Sequence, residues 1–87
     1  MSEELVSLYN KINWANHQIN SHQKRIEYWA KLENNLRIEY GSNPKEHERI
    51  HIRKIKQLRK AAISDFKYWG DELIKLKHKL KVYSVFE

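Results

Sequence analysis

The stretch His47-Glu48-Arg49-Ile50-His51 has the spacing of a zinc-hydrolase motif. Two imidazoles one helical turn apart can share a metal ion, and the glutamate between them can act as a general base. A hydrolytic centre also needs a third protein ligand and an enclosed cleft around an open coordination position. A chain that reads as two helices offers neither, so His47 and His51 are expected to be exposed helix histidines and at most an incidental zinc or nickel site. There is no Gly-rich phosphate loop, nucleophile elbow or paired-carboxylate constellation, and no cysteine for thiolate chemistry or disulfides. The expectation is a protein without enzymatic activity and without a cofactor.

A second set of residues could act by charge alone. Arg49, Arg53, Lys56, Lys60, Lys67, Lys77 and Lys81 follow one another at steps of three, four, seven or ten residues, which places them along one side of a helix. The net charge of +6 is concentrated there. Residues 1–43 balance five basic groups against five acidic ones, whereas residues 44–87 carry twelve against six. Such a row suits phosphate oxygens or an acidic protein surface. No aromatic residue is read between the cations, and no helix-turn-helix, basic-zipper or zinc-finger signature accompanies them. Nucleic-acid contact is therefore expected to be independent of base sequence.

The elements that must position these groups follow from periodicity. With 40% hydrophobic residues the chain can fold, while 32% charged residues, two Gly and one Pro favour long uninterrupted helices in a single domain. In the first half, Leu5, Leu8, Ile12, Ala15, Ile19, His22, Ile26, Trp29, Glu33, Leu36 and Tyr40 recur at alternating steps of three and four. In the second half, Ile52, Ile55, Arg59, Ala62, Phe66, Trp69, Leu73, Leu76, Leu80 and Tyr83 do the same. Between them, Gly41 is suited to end a helix, and Asn43 with Glu46 forms a capping box around Pro44. The fold expected is all-α: an antiparallel, coiled-coil-like hairpin with helix 1 over about residues 3–40, a turn at 41–44 and helix 2 over about 45–84. Ser2 is placed to cap the first helix. Gly70 is read as a weak point inside a continuous second helix, and residues 83–87 are expected to fray.

An antiparallel pair has an internal check, because facing residues should have numbers that add to a constant. Leu5 with Tyr83, Leu8 with Leu80, Ile12 with Leu76, Ala15 with Leu73, Ile19 with Trp69, His22 with Phe66 and Ile26 with Ala62 all add to 88. The same register sets Trp29 opposite Arg59 and Glu33 opposite Ile55. Arg59 is thus expected to lie over the Trp29 ring and reach Glu33. His22, inside the seam, reads as a packed imidazole rather than a ligand.

Once the seam is assigned, two flanks remain. The cations occupy one, with Asn13, Asn16, Asn20 and Gln23 of helix 1 on the same side. Trp14, Tyr28, Leu32, Leu58, Ala61, Tyr68 and Val82 occupy the other. Two helices cannot cover both a seam and that aromatic strip, so a homodimer assembling into a four-helix bundle is expected, with Trp14, Tyr28, Leu32, Leu58 and Tyr68 at the interface. The partners expected are a second copy and nucleic acid or an acidic protein surface, in the cytoplasm, with no membrane. An alternative use of the aromatic strip is that of a small virus- or mobile-element-type regulator or inhibitor, which occupies a partner protein's surface.

Overall fold

The computed structural model describes residues 2–86 and folds them into two α-helices, α1 (Glu3–Tyr40) and α2 (Glu46–Phe86). At about 1.5 Å per residue the 41 residues of α2 span the full 63 Å of a body only 14 Å across in its other two dimensions. The helices run antiparallel as a hairpin. The Ser2 and Tyr83 hydroxyls meet at 2.7 Å at one end, and Tyr40 and His51 pair at the other.

Local chemistry accounts for the helix ends. Ser2 Oγ accepts from the Leu5 N–H at 3.2 Å, and Glu3 and Glu4 sit in the first turn of α1 beside the positive end of the helix dipole. At the far end Gly41 takes φ +75°, open to a residue without Cβ, and its N–H returns to the Arg37 carbonyl. The start of α2 differs from expectation. The cap is made by Lys45 and Glu48, not by Asn43 and Glu46: the Lys45 N–H donates to Glu48 Oε1 at 2.8 Å. Pro44 has no N–H, so Lys45 offers the first donor after it, and Glu48 lies the required three residues on. Arg49 Nε then closes on the Pro44 carbonyl at 3.1 Å. The helix passes through Gly70 unbroken and continues to Phe86, beyond the expected fraying point; Glu87 lies outside the described residues.

Every buried residue among those described falls on the expected seam. These are Leu5, Ile12, Ala15, Glu33 and Leu36 from α1 and Ile55, Ala62 and Leu76 from α2. The remaining seam positions are half-buried. Ala15 and Ala62 expose no surface, whereas no large side chain among the described residues is fully enclosed. Ile12, Ala15 and Leu76 form the most continuous apolar cluster, with Leu8, Trp69, Leu73 and Leu80 against it. A core one side chain thick gives little reserve, because each half-covered Leu or Ile gains less than the roughly 1.5–3 kcal/mol of full burial.

The polar interruption of the seam is an ion pair. Arg59 Nη1 donates to Glu33 Oε2 at 2.8 Å, and Arg37 approaches the other carboxylate oxygen at 3.7 Å. Glu33 is only 6% exposed. Glu33 Oε1 and Arg59 Nε are buried without a hydrogen-bond partner. The expected reach of Arg59 to Glu33 is thus present, whereas its stacking on Trp29 is not seen among the described residues, and the Trp29 ring meets Tyr28 edge-on at 4.9 Å. The carboxylate has the stronger claim on a guanidinium drawn into the seam.

Candidate functional site

The hairpin places the two sets of candidate residues on opposite broad faces. On the cationic face Arg49, Arg53, Lys56, Lys60, Lys67, Lys77 and Lys81 are all exposed, and among the described residues none forms an ion pair. α2 positions them because its apolar seam faces α1 and forces this side outward. They do not form one even row. Ile74, 69% exposed, lies seven residues from both Lys67 and Lys81 and interrupts it. Tyr9 of α1, also exposed, falls on the same flank by its spacing from the seam. The cationic surface thus divides into a turn-proximal group, Arg49 to Lys67, extending about 27 Å along the helix, and a separate pair, Lys77 and Lys81.

Register also relocates the amides. Asn13, Asn16, Asn20 and Gln23 are exposed, and the register sets them alongside residues 65–75, so of the turn-proximal cations only Lys67 has amides beside it. Nearer the turn their place is taken by Arg37, half-exposed at 54% and missed in reading the sequence. The signal was available: Arg37 is one residue from the seam residue Leu36, and the antiparallel register carries it next to Arg53. Ile74 was legible in the same way, from the ten-residue gap between Lys67 and Lys77.

The opposite face is apolar and open. Trp14, Tyr28 and Tyr68 are 55%, 61% and 57% exposed, and Leu32 and Leu58 are half-buried between the helices. Each aromatic has a ring beside it: Trp14 by His17 at 5.7 Å, Tyr28 by Trp29 at 4.9 Å and Tyr68 by Trp69 at 5.2 Å. Such neighbours limit side-chain freedom before any partner arrives. Trp14 and Tyr68 share one groove of about 680 Å³ with Trp69 and Leu76. A second groove of about 860 Å³, lined by Leu8, Val82 and Tyr83, continues from it through Leu76. The rims are charged, with Glu3 and Lys11 on α1, Glu72 beside the first groove and Lys79 beside the second. Tyr28, Leu32 and Leu58 extend the strip toward the turn, outside these grooves.

One clamp on this face was not foreseen. Arg25 Nη1 bonds His22 Nδ1 at 2.7 Å and Asp65 Oδ2 at 3.2 Å, joining the two helices. A guanidinium only donates, so His22 Nδ1 is the acceptor, and the ring serves as a structural contact.

His47 and His51 are exposed. His51 Nδ1 is occupied by the Tyr40 hydroxyl at 2.7 Å. Among the described residues no group of three or more His, Asp or Glu side chains gathers in a way that could hold a metal ion. No helix among them is long and apolar enough to cross a membrane. Comparison of the chain with protein-family models, curated proteins and solved structures gives no match.

Proposed function

We propose that this protein is a non-enzymatic docking module, acting in the cytoplasm, that pairs through its aromatic face into a four-helix bundle and engages a polyanion with its cationic face. The polyanion is the phosphate backbone of nucleic acid, contacted without regard to base sequence. The observation that carries the reading is the turn-proximal group: Arg49, Arg53, Lys56, Lys60 and Lys67 are exposed and none is ion-paired among the described residues. Cations that neutralise no internal acid are available to displace counterions from phosphate. No ring lies within that group to stack a base, which favours backbone contact over readout.

Salt tests this. Five phosphate contacts correspond to a slope of roughly −4.5 in log affinity against log salt, so duplex binding should weaken roughly 500-fold between about 50 and 200 mM. Reversing the charge at Lys56, Lys60 and Lys67 should abolish binding. Affinity indifferent to both changes refutes the reading.

The exposed aromatic strip that runs from Trp14 and Tyr68 to Tyr28 favours a second reading, a small virus- or mobile-element-type regulator that binds a partner protein through this face. Glu in place of Tyr28 and Leu32 should then leave a folded chain that no longer captures that partner, and unchanged capture would count against it.

A further inference from the structure

We infer that the groove at Trp14 is filled by a second copy of this chain lying antiparallel to the first, with the two-fold axis passing beside Trp14. This rests on the pairing proposed above and specifies its geometry. Two hairpins that meet through the same face under two-fold symmetry have two choices: like ends together, or ends reversed.

Charge decides between them. On the aromatic face Lys11, Lys75 and Lys79 lie in one band across the two helices. Joining like ends would stack that band on itself and gather six lysines into one layer, which is strongly unfavourable when desolvated. Reversing the ends carries Lys11 and Lys79 away from their counterparts and leaves only the two Lys75 side chains near the axis, where each has the carboxylate of Glu72 close by. With Trp14 close to its own counterpart, helix positions of α1 face partner positions that add to about 29. Glu4 then meets Arg25 of the second copy, and on α2 Glu72, which already holds its own Lys75 at 3.6 Å, comes beside the second copy's Lys75 as well. Arg25 commits only Nη1 to His22 and Asp65, so its guanidinium has donors left for a carboxylate. Tyr68 meets the stem of the second copy's Lys79, an apolar cover for an exposed ring.

The contact is also large enough. Overlap runs from the chain ends to about residue 27 of α1, roughly 37 Å at the helical rise, across a face 14 Å wide. That is roughly 500 Å² per copy and about 1,000 Å² in total, at the lower bound for a specific interface. The face has the rigid aromatic centre and charged rim that such small interfaces use. In this arrangement the two cationic faces point away from each other.

Two measurements on the full chain test it. Sedimentation equilibrium should give a dimer at micromolar concentration, and Trp14→Glu should weaken association at least thirtyfold. Helical circular dichroism should be unchanged, since Trp14 is already 55% exposed. For geometry, Asn35→Cys introduces the only cysteine in the chain at an exposed position beyond the overlap. A spin label there should report an intermolecular distance of about 60 Å with reversed ends and under about 20 Å with like ends. A chain that stays monomeric overturns both the pairing and its geometry, and points to a different protein as occupant. A dimer with the short distance overturns the geometry and leaves the pairing. A Trp14→Glu chain that dimerises as before overturns the placement of the axis.

Discussion

Arg59→Met isolates the seam ion pair and carries the largest stability change the structure implies. Glu33 is 6% exposed, its carboxylate takes a 2.8 Å bond from Arg59, and Arg37 stands 3.7 Å from the other oxygen. Removing Arg59 leaves a carboxylate in the seam with only that longer contact to a half-exposed arginine. Breaking a buried pair from one side costs about 3–5 kcal/mol. Since the Arg59 side chain is 28% exposed and Arg37 can move closer, the lower end applies, about 3 kcal/mol. For a domain of this size that lowers Tm by roughly 12–24 °C. Replacing both partners has the opposite logic. The pair leaves Glu33 Oε1 and Arg59 Nε buried and unbonded, a half-satisfied network that apolar side chains of similar volume can match. Glu33→Leu with Arg59→Met should therefore fall within about 1 kcal/mol of the unaltered chain, or above it. The assay is urea and thermal unfolding followed by helical circular dichroism at one fixed protein concentration, because dimerisation adds to apparent stability. A double variant as unstable as Arg59→Met refutes the argument. So does a single variant that loses less than about 0.5 kcal/mol, the size expected of an ordinary surface pair.

The two glycines should respond in opposite directions. A Cβ at Gly70 meets nothing within 4 Å inside a continuous helix, so Gly70→Ala should stabilise by about 0.5–1 kcal/mol; a neutral or lower midpoint would mean the helix needs flexibility there. Gly41→Ala, at φ +75°, should destabilise by about 1 kcal/mol in the same unfolding assay. If two cationic faces point outward from an antiparallel dimer, the protein should bring two duplexes together at low salt, measured by energy transfer between differently labelled duplexes. Trp14→Glu should still bind each duplex and fail to bridge them.

Much of the hairpin could be read from residue order because helical periodicity is a local property. A seam that repeats every three and four residues, and whose two halves pair to a constant number, leaves one antiparallel register that buries Ile12, Ala15 and Leu76 together. The turn was legible from Gly41 and Pro44, yet the cap was not: Asn43 with Glu46 and Lys45 with Glu48 both have the required spacing, and only the path of the chain out of Pro44 selects the second. The candidate surfaces show the same division. That seven cations share one side of α2, and Trp14, Tyr28 and Tyr68 the other face of the hairpin, follows from spacing alone.

What the sequence determined by itself is therefore the helices, their register and the chemistry of each face, all set by steps of three and four along one chain. What only the tertiary structure decided is how the faces are broken up and joined. Trp14 shares a groove with Tyr68 across 54 residues of chain, and Arg25 of one helix clamps His22 to Asp65 of the other. Of the two partners expected for Arg59, Glu33 is taken and the Trp29 ring is not. Each of these depends on contacts between the two helices, settled by distance and burial once both are in place.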